Sequence, residues 1–598
     1  MIQTIKKIFF LLSENEKKKA ILLIGMVLIM AILDMIGVAS IMPFIAVLSN
    51  PELIETNKLI NEGFQFVKSF GVSTTQEYIF ILGVMVFIFL LLSLLIKALT
   101  IYLQLRFNLM CEYTISKRLL NNYLHQPYSW HLNRNSADLA KNILSEVTLV
   151  ISGGLSSLSS LITQGAVVIA MIFLLILINP EIALFLGFFL GGTYGIIYKF
   201  SHFFLYRIGK ERLKLNEIKF KTINDAFGAL KELKLGELEN VYIERFRNVA
   251  RVYARHQASS QTIALMPRFA LEALAFGGIL LVTLYLMKSS GNFSSVAPII
   301  ALYAFAGYRL MPGLQTIYKS LTQIRFASPS IERLYNDLKN IKQPINPSTQ
   351  NKISFNESLA LKKINFHYHN SKRSTLKNIN LSIPINTTVG IAGQTGSGKT
   401  TIINIILGLL EPNQGTLEID GISLNKNNLR SWQRLIGYVP QQIYLIDDTI
   451  AANIAFGIDK KEIKKDDLVQ ASKIAKLHDF ILDKLPLKYE TIVGEKGIRL
   501  SGGQIQRIGI ARALYHKPKI LIFDEATSSL DNITEKEVMN SIDELKNKIT
   551  IIIIAHRLST IKKCSKIFLF NEGEIIEQGS YDQIVKKNQY FREMSNLS

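Results

Sequence analysis

The stretch Gly393-Gln394-Thr395-Gly396-Ser397-Gly398-Lys399-Thr400 limits what this chain can fold into more than any other. It fits G-x-x-x-x-G-K-[ST], a loop whose successive N–H groups cradle a polyphosphate. Residues 385–392 read as a strand leading in, and 401–407 as an apolar helix start. Glycines let the backbone approach the ligand closely, and the helix N-terminus adds positive potential. In such a loop Lys399 reaches the β- and γ-phosphates, and the Thr400 hydroxyl is placed to ligate Mg²⁺. A glycine-rich turn could match by chance, but a strand before and a helix after argue for a P-loop α/β core.

That core cannot account for the whole chain. With 598 residues, more than one domain is expected. Hydrophobic residues make up 48%, and runs at about 20–48, 78–103, 150–178, 181–206, 262–287 and 294–322 are each long enough to cross a bilayer. The first run is too long for a signal peptide and reads as an anchor that stays. The net charge of +21 invites a nucleic-acid reading. Its placement argues otherwise, because segments 104–150 and 207–261 concentrate Lys and Arg while 49–77 carries four Glu against two Lys. Basic loops stay in the cytoplasm, so both termini are expected there, with a membrane rather than nucleic acid as the surrounding partner. The two cysteines, Cys111 and Cys564, both fall in segments assigned to the cytoplasm, so no disulfide framework is expected.

Boundaries follow from these patterns. Residues 1–19 read as an amphipathic segment along the membrane face. The membrane domain spans 20–325, with an outer helix at about 52–70, a polar linker covers 326–352, and the nucleotide domain runs 353–598. The fold class is thus a six-span α-helical transmembrane domain followed by an α/β P-loop ATPase domain.

Further motifs identify the ATPase. Leu500-Ser501-Gly502-Gly503-Gln504 precedes an apolar strand ending in Asp524 and Glu525. This pairing resembles the signature and Walker B strand of the ATP-binding-cassette (ABC) family. Gln441 resembles the family's Q-loop glutamine, Ser529-Leu530-Asp531 its D-loop, and His556 its switch histidine. Tyr368 sits where the family stacks an aromatic ring on adenine, and residues 494–497 resemble the loop exporters place before the signature. Six spans ahead of one cassette resemble an exporter half-transporter, in which long cytoplasmic loops are helical extensions ending in coupling helices. Candidates for those are near residues 128–139 and 222–230.

The resemblance implies ATP and Mg²⁺ as cofactors and a second copy of the chain as partner, since the signature closes on ATP held by the other copy. ATP contacts fall to Tyr368, Gly393, Gln394, Thr395, Gly396, Ser397, Gly398, Lys399, Thr400 and Thr401 of one copy. Ser501, Gly502, Gly503 and Gln504 come from the other, and Asp531 of the D-loop joins the ATP-binding set. Thr400, Gln441 and Asp524 form the Mg²⁺ set, and Glu525, His556 and Gln441 the catalytic one. None of these positions is degenerate, so both sites of a homodimer are expected to hydrolyse ATP.

Substrate clues lie in the spans. Lys97, Arg268 and Arg309 fall at comparable depth toward the cytoplasm, and a cationic ring there suits an anionic headgroup. The plainer reading has Lys97 snorkelling and Arg268 paired with Glu272 one turn on. Residues 266–272 and 308–312 resemble the flippase of bacterial N-linked glycosylation, although Lys97 stands where that subfamily is expected to carry arginine. The resemblance implies a polyprenyl-pyrophosphate-linked oligosaccharide, flipped across a bacterial inner membrane. Export of another amphiphile (lipid A core, a peptide or a hydrophobic drug) is the alternative.

Overall fold

The computed structural model describes residues 1–69, 74–178, 180–269, 293–340, 352–368, 374–526, 531–545, 548–554 and 558–596, with scattered positions between 272 and 284. The chain divides into two compact units. One comprises Met1–Gln126 with Asn133–Pro344, the other Ile345–Ser598 with the short segment Pro127–Leu132.

Among its described residues the first unit is helical. Ser13 separates the opening helix Ile2–Leu11 from Glu14–Ala39. Its Oγ accepts the Glu16 N–H at 3.4 Å while Glu16 Oε2 accepts the Ser13 N–H at 2.7 Å. This reciprocal cap starts a new helix, so the amphipathic helix ends at Leu11 and Lys17, Lys18 and Lys19 ride on the next one. A second reciprocal cap, Thr74 with Glu77, opens the 50-residue helix Thr75–Leu124. At about 1.5 Å per residue it is roughly 75 Å long, more than twice the hydrocarbon thickness of about 30 Å. The cytoplasmic segment from 104, expected as a helical extension of the span, is its continuation as far as Leu124.

Three helical stretches are long and apolar enough to cross a membrane among the described residues: Glu14–Ser49, Thr75–Leu124 and Ser136–Ile178. The fourth and sixth expected runs lie on Pro180–Gly228 and Phe293–Asn340. The fifth begins on Glu239–Leu265 and continues largely outside the described residues.

Two boundaries differ from the sequence reading. The linker expected from 326 begins no earlier than 341, because Phe293–Asn340 carries a buried stripe at Ile324, Ala327, Ile331, Leu334 and Leu338. That spacing keeps one helix face in the core. The short helix expected near 222–230 also falls later. Nothing breaks the helix before Gly228, a short helix Leu230–Leu235 follows, and Glu237 turns the chain at φ 52°. The outer segment forms Leu53–Thr56 and Lys58–Lys68. Phe64 packs edge-on against Tyr78, with ring centroids 5.1 Å apart, and the Tyr78 hydroxyl donates to Ile60 O at 3.2 Å. Packing onto the base of the second span is what this segment's apolar face does.

A buried polar cluster ties three helical segments together. Glu146 accepts from Arg212, from Asn216 Nδ2 at 2.7 Å and from the Ser330 hydroxyl at 2.7 Å. Glu146 and Arg212 are 0% and 1% exposed. Two π-helical segments, Asn142–Glu146 and Val150–Leu155, present this cluster and the small residues Gly153 and Gly154 beside Ala327 and Ile331.

The second unit is built on two sheets. The antiparallel one runs β2-β1-β4-β5, with β1 Ser358–Phe366, β2 Leu376–Pro384, β4 Gln414–Ile419 and β5 Ile422–Ser423. Burial along β2 alternates, as expected of a sheet covered on one face. The larger sheet runs β10-β9-β3-β8-β7-β6, with β3 Thr388–Gly393, β6 Ile436–Val439, β7 Ile520–Asp524, β8 Thr550–Ile554, β9 Lys566–Asn571 and β10 Glu574–Gly579. From β9 to β6 it is parallel. Every residue of β3, β7 and β8 is buried, as expected of parallel strands covered on both faces. Parallel pairing sends all these strand ends one way, which is where ligands bind in open α/β sheets.

Candidate functional site

At the end of β3 the loop Gly393–Thr400 turns into the helix Lys399–Ile406. Gly396 and Gly398 adopt φ of 82° and 102°, a backbone that residues with a Cβ rarely take. Gly393 is needed for a different reason. A Cβ there would stand 2.3 Å from the carbonyl oxygen of Phe570 on the neighbouring strand β9. Gly393→Ala is therefore expected to cost the cassette about 1–3 kcal/mol through overpacking. Thermal unfolding together with labelled-ATP titration checks this, and an alanine variant matching the parent in both would refute the close-approach account.

Lys399 bridges its own loop, its Nζ donating to Gly393 O and Gln394 O, each at 2.8 Å. Burial pushes its ammonium below the ordinary lysine range, and the Glu525 and Asp524 carboxylates oppose that shift. The lysine is thus a desolvated group facing two acids. Ser397 Oγ is buried with no hydrogen-bond partner among the described residues, which leaves a donor in the cradle for an incoming oxygen. Thr400 is exposed on the first helical turn. The Tyr368 hydroxyl lies 3.2 Å from Thr401 Oγ1 and its ring packs edge-on against Phe366 at 5.0 Å. The aromatic ring expected at the adenine therefore lies beside the helix that follows the phosphate loop.

The acids arrive from β7. The strand ends at Asp524, buried at 6% exposure, and its Oδ2 accepts the Tyr438 hydroxyl of β6 at 3.1 Å. Glu525 then leaves the strand conformation at φ 53°. Left-handed backbone at a non-glycine residue costs about 1–3 kcal/mol and concentrates at functional sites. The turn relieves the strand's alternation, which would aim adjacent carboxylates at opposite faces. Gln441, just past β6, donates its amide to Glu525 Oε2 at 2.6 Å. The sheet order β3-β8-β7-β6 thus brings Lys399, Asp524, Glu525 and Gln441 to one edge.

The signature lies on the helix Gly502–Tyr515, capped by Ser501, whose Oγ accepts the Gln504 N–H at 3.3 Å. Gln504 Oε1 returns the cap by accepting the Ser501 N–H at 2.9 Å. Gly502 and Gly503 are its first residues, so this N-terminus offers uncrowded N–H groups. Asp531 caps Asn532–Asp543 by accepting the Thr534 N–H at 3.0 Å, and that bond keeps its carboxyl below the usual range. His556, Ser529 and Leu530 lie outside the described residues. So does the Arg309 side chain, although the residue sits on Phe293–Asn340. Lys97 is half-buried on the second span, and Arg268 pairs with Glu272 at 2.6 Å. The structure thus contains the plainer pairing for Arg268.

The donor set fits Mg²⁺ bound with a nucleotide. A carboxylate, a nearby threonine hydroxyl and an amide supply few protein ligands, as expected of an ion that keeps waters and phosphates. No cluster of three or more His, Cys, Asp or Glu suited to a metal of another kind occurs among the described residues.

Known proteins share this arrangement. A family model described as ABC transporter matches residues 376–528. An ATP-dependent lipid A-core flippase of Wigglesworthia glossinidia brevipalpis is 30% identical over 499 residues, 81% of this chain and 82% of that protein. One of Saccharophagus degradans is 30% identical over 479 residues, 79% of each chain. One from Haemophilus influenzae is 28% identical over 501 residues, 81% of this chain and 82% of that protein. Among solved structures, a bacterial Atm1-family ABC exporter with ATP bound superposes with a TM-score of 0.79, 22% identity, and coverage of 97% and 98% of the two chains.

Proposed function

The chain belongs to the ABC transporter family, as a half-transporter with an exporter fold, and from that premise we propose that it is an ATP-driven flippase for a glycolipid of the lipid A-core kind. The observation that carries this reading is the match over about four-fifths of the chain, through the spans as well as the cassette, to proteins bearing that name. A polyprenyl-pyrophosphate oligosaccharide, the substrate expected from the membrane motifs, has less behind it. The Arg268–Glu272 pair neutralises one of the three cations on which that expectation rested.

Two copies are needed, because one chain has one phosphate loop and one signature helix. In this reading Lys399 and the loop N–H groups bind the β- and γ-phosphates of ATP, and Tyr368 holds the adenine. Ser501 and Gly503 of the partner copy close over the γ-phosphate with a helix N-terminus. Thr400, Asp524 and Gln441 would hold Mg²⁺, which would neutralise phosphate charge when bound. Glu525 orients the attacking water and accepts its proton, and His556 contacts the γ-phosphate. The Gln441–Glu525 hydrogen bond joins the acid to the segment after β6. Closure around two ATPs biases the spans outward and hydrolysis releases them. In this reading the protein sits in a bacterial inner membrane, with termini and cassettes in the cytoplasm.

The test is flipping in proteoliposomes, with lipid A-core, a polyprenyl-pyrophosphate glycan and a neutral phospholipid as competing cargoes. ATP-dependent movement of lipid A-core alone is the expected result. Movement of the polyprenyl glycan alone would replace this substrate, and movement of none would overturn the flippase reading. In the same assay Arg309→Ala is expected to weaken stimulation of hydrolysis by the glycolipid severalfold. Stimulation at the parent level would remove Arg309 from the cargo path.

A further inference from the structure

We propose that Tyr438 is a positioning residue for the metal site, holding the Asp524 carboxylate in the orientation that receives Mg²⁺. The inference rests on the ATPase reading and adds to it a residue that the sequence motifs leave without a role. Tyr438 sits on β6 beside β7, paired in register with Ile522, two residues before Asp524. From there its hydroxyl reaches forward along the sheet and donates to Asp524 Oδ2 at 3.1 Å. The side chain belongs to the partly buried layer against the core under the phosphate loop, so its ring is fixed by packing.

The physical case is one of torsional freedom. A carboxylate at a strand end rotates about its terminal torsion, which is broad for sp³–sp² bonds. A cation with strict octahedral geometry loses affinity when its ligand must first be oriented. Groups that orient metal ligands in this way change metal affinity or activity by about 10–100-fold when removed. Phenylalanine at 438 keeps the ring and its packing and deletes only the donor. The expected effect therefore falls on the metal and spares the nucleotide.

The experiment uses the full-length dimer in lipid, with Mn²⁺ standing in for Mg²⁺. Its binding is read by electron paramagnetic resonance with ATP present in the Glu525→Gln background, which keeps hydrolysis out of the measurement. Tyr438→Phe is expected to raise the apparent Mn²⁺ dissociation constant roughly tenfold, with metal-free ATP affinity and thermal unfolding unchanged. Unchanged Mn²⁺ affinity overturns the proposal. So does a weakening of metal-free ATP binding equal to that of Mn²⁺, which would make Tyr438 a packing residue. Should the parent bind neither ATP nor Mn²⁺, the ATPase reading falls first and takes the proposal with it.

Discussion

In the Glu525→Gln variant, phosphate release is expected to drop by roughly 10²–10⁴-fold, the range for removing a general base, while ATP stays bound and the two cassettes stay closed. The glutamine keeps the size of the side chain and can still meet the Gln441 amide through its carbonyl oxygen, now with a neutral acceptor. What it loses is the ability to take a proton from water. Phosphate release and retained radiolabelled ATP, measured on the same sample, separate this from misfolding. Turnover near the parental rate would remove Glu525 from the chemistry and leave its left-handed backbone without a functional reason.

The second large effect is on stability. Arg212→Ala strands Glu146, which is 0% exposed, among groups sized for an ion pair. Removing one partner of such a pair typically costs about 3–5 kcal/mol, because the other charge stays buried and uncompensated. Replacing both, as Glu146→Leu with Arg212→Met, is expected to recover most of that loss, since the desolvation penalty goes with the charges. Thermal unfolding of the three proteins in one detergent gives the comparison. A double variant as unstable as the single one would mean that the cluster with Asn216 and Ser330, rather than the charge pair, sets the stability.

The two residues behind these effects differ in how plainly the amino-acid sequence announces them. Glu525 is legible because the site is assembled from contiguous motifs. Eight consecutive residues build the phosphate cradle, and a β-branched run ending in two acids marks a strand end by itself. The left-handed turn at Glu525 and the Tyr438–Asp524 bond are not legible. Both depend on which strands neighbour one another, and order β3-β8-β7-β6 is not written in any local pattern. Arg212 and Glu146 lie 66 positions apart and fall, in sequence, in two different basic loops with two spans between them. Only the docking of Pro180–Gly228 against the π-helical segment makes them a pair. The Arg268–Glu272 pair, one helical turn apart, can be read directly. The helical extensions expected in the cytoplasmic loops follow from the family resemblance, whereas the linker start at 326 is set too early because the buried stripe of Phe293–Asn340 runs on past the membrane span.

The π-helical segments Asn142–Glu146 and Val150–Leu155 also bear on how this helix tolerates changes in length. Each π turn accommodates about one more residue than an α turn before returning to the same side of the helix. Deleting one residue inside such a segment would let it relax to α geometry with everything downstream still facing its neighbours. The same deletion in Ser156–Ile178 would rotate all later side chains by about 100°, turning Val167 and Met171 out of their packed face. The two π turns are therefore where single-residue insertions and deletions can be absorbed, and length variation among homologous chains in this helix should collect there.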